Sequence, residues 1–372
     1  MNYHATSILM EHSMPTLFDP LQAGDLLLPN RIVMAPLTRR RAGETRVPNA
    51  LMARYYEQRA SAGLILSEAT SVTPLGVGYA DTPGIWSREQ VDSWKLVTEA
   101  VHRAGGRIFL QLWHVGRVSH PMFLDGASPV APSAIAPKGN VRLVRPDTEY
   151  VIPRALERAE ISQVIEAFRR GAEHAQHAGF DGVELHAANG YLIDQFLQDS
   201  TNRRTDDYGG PVENRARLLI ETVETLISVW GAGRVGVHLA PRGDSHDMGD
   251  SDGLGTFSYV ARELGKRRVA FLCVREHLGP GRIGPQLKAA FGSVYIVNEG
   301  FTRETAEQAL AANDADAVAF GKLFIANPDL PKRFARKGPV NQWNADTFYS
   351  GGQHGYVDYP ELEDAQQVAA SG

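Results

Sequence analysis

The sequence predicts an α/β fold, a closed (β/α)8 TIM barrel, and three observations carry that prediction. Short apolar runs alternate with helical stretches, the pattern of βαβ units on a parallel sheet. The runs number eight, which suits a closed barrel better than an open doubly wound sheet. The chain of 372 residues is long enough for one barrel with insertions.

Taken in order, the strands are expected at Ile32 to Thr38, Gly63 to Thr70, Arg107 to Trp113, Gly182 to Ala187, Arg234 to Pro241, Val269 to Glu276, Ser293 to Gly300 and Ala317 to Phe324. Helices are expected at Asn49 to Ser61, Arg88 to Ala104, Glu160 to Ala178, Val212 to Trp230, Thr256 to Lys266 and Thr302 to Ala312. Leu26 to Pro29, just ahead of the first strand, suits a small hairpin closing the barrel bottom. The Pro- and Gly-rich stretch from Ser119 to Pro153 reads as an excursion after strand three that shapes a pocket at the upper face. Residues 1–14 read as a tail and residues 15–372 as a single domain.

Composition narrows the function classes. At 43% hydrophobic and 22% charged residues the chain is ordinary for a globular protein. A formal net charge of -5 gives no general attraction to nucleic acid or to an anionic membrane. The triplet Arg39-Arg40-Arg41 is short and reads as a solvated loop. One cysteine, Cys273, excludes an internal disulfide framework and points to a reducing cytoplasm. No apolar run approaches the roughly 18 residues of a membrane helix.

Gly231 to Gly236 matches GxGxxG, but it follows a helix and runs into a strand, the reverse of a dinucleotide-binding turn. A nicotinamide would therefore have to visit another redox cofactor. The chemistry of such barrels sits at the C-terminal strand ends. Strand four ends with His186, Asn189 and Tyr191, two donors for a carbonyl and a phenolic acid. Taken singly, each reads equally as a core histidine, a turn and a packing tyrosine. Zinc is poorly supported, because His186 and Asn189 lack a second nitrogen or sulfur ligand. Strands seven and eight end with Gly300, Gly321 and Lys322, a place for a phosphate, although glycine after a strand is also ordinary turn chemistry.

The segments Asn30 to Arg39, Tyr56 to Ala62, Gln111 to Arg117, Gly179 to Gln195, Ser200 to Arg215, Asp316 to Leu330 and Gly355 to Pro360 closely resemble the old yellow enzyme family. The likeness is to the branch of N-ethylmaleimide, morphinone and 2-cyclohexenone reductases and runs from Leu17 to about Leu362. It implies bound FMN, with NAD(P)H as co-substrate, and reduction of activated C=C bonds in enones, nitroalkenes and maleimides, and of nitrate esters. In the implied mechanism hydride passes from flavin N5 and Tyr191 supplies the proton, with His186 and Asn189 holding the activating group. By the same resemblance Pro36, Leu37, Thr38, Ala69 and Gln111 line the flavin ring, and Gly300, Gly321 and Lys322 hold its phosphate. Tyr79, Trp113 and Tyr356 line the substrate cavity or pack in the core. The implied partners are small molecules only, with neither nucleic acid nor membrane, in a monomer or small homo-oligomer.

Two positions depart from the family pattern. Lys322 stands where Arg is commoner, and His238 replaces an Arg that lies against the flavin N1–C2 edge, which makes it a pH-dependent substitute. Arg242 has the same strand parity as His238 but reads as a loop residue in solvent. The rival readings are an aldolase or isomerase holding a substrate phosphate at strands seven and eight, and a binding protein on a catalytically dead barrel.

Overall fold

The computed structural model of the protein describes residues 14–363. The tail expected at the N-terminus lies outside them except for Met14.

Eight parallel strands, β1 (Ile32–Met34), β2 (Leu64–Leu66), β3 (Ile108–Trp113), β4 (Gly182–Ala187), β5 (Val235–Leu239), β6 (Phe271–Arg275), β7 (Tyr295–Asn298) and β8 (Ala317–Phe320), pair in sequence order. Pairing of β8 with β1 and of β2 with β3 closes the barrel. A short antiparallel hairpin, Leu21–Ala23 with Leu26–Leu28, precedes β1, and Leu26 and Leu28 plug the bottom. The predicted helices form at Ala50–Glu57, Arg88–Arg103, Arg158–His177, Val212–Arg215 with Arg217–Trp230, Gly253–Lys266 and Arg303–Ala311. None of the described helices is long and apolar enough to cross a membrane.

Side chains alternate in and out along each strand. Outward residues such as Leu110, Leu185, Val237 and Val274 pack in a large core beneath the helices, while inward residues fill the barrel. The lower interior is apolar, and the rings of Phe109 and Phe271 meet there with centroids 5.6 Å apart. Gly182 and Gly236 make room for them: a Cβ at either would come within 2.3 Å of a phenyl carbon. Higher up, the inward positions turn polar, with Gln111, Glu184, His186 and His238 all buried. A large barrel core thus gives way to a polar floor at the upper mouth, where this fold does its chemistry.

Several elements differ from the sequence reading; β2, for one, ends at Leu66 and not at Thr70. β1 ends at Met34 instead of reaching Thr38, because Pro36 has no N–H for the ladder. β8 ends at Phe320, not Phe324; Gly321 (φ -95°, ψ -88°) breaks the strand and starts a short helix, Lys322–Ala326. A helix at Gly284–Phe291, with Pro in its first turn, connects β6 to β7 and went unpredicted beneath its Gly- and Pro-rich start.

Candidate active site

The floor of the mouth is built in register. His186 on β4 pairs with His238 on β5, which pairs with Cys273 on β6, so all three face inward at one level. The two imidazoles lie stacked, 5.5 Å between centroids and 12° between planes. Gln111 Nε2 donates to Glu184 Oε2 (2.7 Å) and to His238 Nδ1 (3.2 Å). Burial raises the Glu184 carboxyl to about 8. Burial, with the Arg275 charge behind it, lowers His238 to about 3, and burial, His238 and Arg275 hold His186 well below the usual imidazole range. Cys273 Sγ comes within 4.8 Å of the Glu184 and His238 ligand atoms, and burial keeps its thiol protonated. Burial thus opposes a positive charge on either floor imidazole.

The turn after β4 positions the next two groups. Asn189 takes φ 60° and Gly190 φ 79°, a left-handed pair that Asn tolerates and that Gly adopts freely. A Cβ on Gly190 would meet Ser245 O at 2.8 Å. Gly190 N–H donates to the buried Asp194, and Gln195 Nε2 donates to Gly190 O, so the turn is pinned from below. Tyr191 leaves it toward Tyr79, with the two hydroxyls 3.1 Å apart. Trp113 and His186 meet the Tyr191 ring edge-on at 4.9 and 5.1 Å, and Trp113 stacks on Tyr79 at 5.6 Å. Desolvation pushes the Tyr191 phenol up to about 12, so it holds its proton.

Above this group lies a cavity of about 430 Å³ lined by Thr38, Tyr79, Tyr191 and Tyr349 and by Asn140 to Leu143, Arg145 and Asp147. The excursion after β3 thus supplies a wall, as its composition predicted. Tyr356 does not line the cavity. It stacks on Tyr55 at 4.1 Å under the guanidiniums of Arg39 and Arg41, a fully buried packing residue, and Tyr349 is the aromatic that reaches the cavity. Those two arginines are buried as well, contrary to the solvated loop expected; they donate to carbonyls of Thr347, Phe348 and Gly355.

Other expected positions fall around the same mouth. Pro36, Leu37 and Thr38 follow β1, and Leu37 packs 3.3 Å from where a Gly321 Cβ would stand, joining the β1 and β8 loops. Ala69 is buried beside Trp113 and Tyr79. Gly300 turns with φ 77° into open space, and Lys322 is exposed, its Nζ 5.8 Å from the Trp343 ring. Four buried polar atoms at this mouth have no protein partner: Trp113 Nε1, Glu184 Oε1, His186 Nδ1 and His238 Nε2. Unpaired buried polar atoms are rare, and a cluster of them at an open strand end suits a polar ligand such as a flavin.

The comparisons agree with that geometry. The profile of the NADH:flavin oxidoreductase / NADH oxidase family matches residues 16–341. The chain belongs to the old yellow enzyme family. Among solved structures of the family, an old yellow enzyme homologue from Zymomonas mobilis is 45% identical with a TM-score of 0.91, covering 93% of this chain and 99% of that one. Morphinone reductase is 46% identical, also with a TM-score of 0.91, over 95% and 98% of the two chains. The 12-oxophytodienoate reductase 2 of Arabidopsis thaliana is 40% identical over 93% of this chain and 96% of its own length. Old yellow enzymes are oxidoreductases that bind FMN, and one morphinone reductase structure holds tetrahydroNAD, in keeping with a nicotinamide as the hydride source.

Proposed function

We propose that this old yellow enzyme homologue is an NAD(P)H-dependent ene-reductase acting on small α,β-unsaturated carbonyl, nitro and maleimide compounds in the cytoplasm. One observation carries the reading. A phenol that keeps its proton lines the cavity, and the strand end that carries it also carries an imidazole with an unpaired nitrogen, packed against the phenol ring, and the Asn189 carboxamide.

Pro36, Leu37, Thr38, Ala69, Gln111 and His238 would hold the FMN ring, and Gly300, Gly321 and Lys322 its phosphate. When bound, FMN supplies hydride exchange between the nicotinamide and the unsaturated carbon. The remaining work belongs to the side chains. His186 and Asn189 donate to the carbonyl or nitro oxygen and stabilise the negative charge that develops there, about 2.7–4 kcal/mol for one well-aimed donor. Tyr191 delivers a proton to the α-carbon; its phenol is kept protonated by burial and oriented by Tyr79. Tyr79 lines the cavity, while Trp113 does not reach it and packs behind Tyr79 and Tyr191, keeping water from the rear of the proton donor.

The test is steady-state consumption of NAD(P)H with 2-cyclohexenone, scored by the saturated ketone formed. Wild-type protein should convert it, and the Asn189→Ala and Tyr191→Phe variants should convert it more slowly. Equal rates in all three would refute the assignment.

A further inference from the structure

Reduced flavin carries a negative charge, and a site that binds and stabilises it needs a positive charge fixed nearby. The floor of this mouth holds no permanent cation, its inward side chains being Gln111, Glu184, His186, His238 and Cys273, all buried. Arg242, the strand-end arginine after β5, lies against Glu276, which has outward parity on β6, at 3.7 Å, and donates to Pro280 O in the loop beyond it.

β6 ends differently. Phe271, Cys273 and Arg275 share the inward face by strand parity, so Arg275 stands one step above the thiol that meets Glu184 and His238. Its guanidinium reaches both ways along the rim. Nη1 donates to Asn189 Oδ1 at 2.8 Å and Nη2 to Glu299 Oε1 at 2.7 Å. Glu299 holds φ 97°, an unusual angle for a non-glycine residue, next to Gly300. The positive charge of Arg275 also opposes protonation of both floor imidazoles.

We propose that Arg275 is the positioning residue of this site: it supplies from β6 the permanent cation that β5 lacks, and it locks the Asn189 carboxamide with Nδ2 free to donate. Both effects follow from one side chain. With Oδ1 held by Arg275, the amide turns its donor edge toward the ligand.

The assignment rests on FMN binding at this mouth, so the test reads the cofactor and not turnover. Apoprotein of the wild type, Arg275→Gln, Arg275→Lys, His238→Arg and the double variant His238→Arg with Arg275→Gln is titrated with oxidised and with reduced FMN, and folding is checked by circular dichroism. Arg275→Gln should weaken reduced FMN about tenfold more than oxidised FMN, a fall of about 30 mV for a two-electron couple. Arg275→Lys should retain most of the affinity, and a cation at position 238 should rescue the double variant. Unchanged affinities in Arg275→Gln, or a gain from His238→Arg that is equal in both backgrounds, would overturn the assignment while leaving the flavin site standing. A wild-type apoprotein that takes up no FMN would overturn the flavin reading itself.

Discussion

Replacing Tyr191 by Phe removes one hydroxyl whose only side-chain partner is the Tyr79 hydroxyl, 3.1 Å away. A positioned general acid contributes about 10²–10⁴ to its step. Here the neighbouring Tyr79 phenol stays in place beside the missing oxygen, and desolvation holds it well above the ordinary phenol range, so it keeps a proton to offer. The loss should therefore sit near the lower bound, about 10²-fold. It should fall on the oxidative half-reaction with enones, because the reductive half-reaction with NAD(P)H needs no proton from this phenol. Nitroalkenes, whose reduced anions persist long enough to take solvent protons, should suffer less. The structural cost is one hydrogen bond, about 1 kcal/mol of stability. The pH profile adds a check. A phenol raised to about 12 is a full proton donor at every lower pH and is lost only as pH rises through that value, so the wild-type oxidative rate should show no Tyr191 step up to about pH 10. Stopped-flow absorbance separates the two halves. If both rates match the wild type, Tyr191 is not the donor.

Two further predictions concern the floor. Replacing both His186 and Asn189 by Ala should raise the dissociation constant of phenol-type ligands at least tenfold, because each donor to a charged oxygen is worth about 1.5–3 kcal/mol; an unchanged titration would make the pair structural. Glu184 is held up at about 8, whereas the unfolded chain ionises it near 4.3, so between those values the folded state binds the extra proton and stability falls as pH rises. Glu184→Gln removes that proton. Its melting temperature should drop less from pH 5 to pH 8 than that of the wild type, both loaded with FMN, and an identical drop would place the carboxyl in an ordinary environment.

Much of the barrel is legible in the sequence because strand and helix periodicities are local. Each β-run is bounded by turn residues, and the eight recur in order. Two of the boundaries that moved did so for backbone reasons that a pattern of apolar residues does not register, namely Pro36 after β1 and the unusual angles of Gly321 after β8. The β4 constellation is legible because His186, Asn189 and Tyr191 are close in sequence. Arg275 is not, since its partners Asn189 and Glu299 are 86 and 24 residues away and become neighbours only when β4, β6 and β7 line one rim. Tyr356 and Tyr349 exchange places for a similar reason. Both are aromatics in the same C-terminal segment, and only the packing of Arg39, Arg41 and Tyr55 decides which of them is sealed in. The downward shift of the His238 imidazole is likewise a consequence of burial, and no sequence pattern carries it.

The central claim is that this chain holds FMN at the barrel mouth and uses it to reduce activated double bonds with a nicotinamide. The most direct measurement follows the purified protein under anaerobic conditions, with the released flavin identified chromatographically and both NAD(P)H and product quantified against added 2-cyclohexenone. The account predicts a yellow protein that releases FMN and forms one saturated ketone per NAD(P)H consumed. A colourless protein with no flavin, or NAD(P)H consumption that ignores the enone, would contradict it.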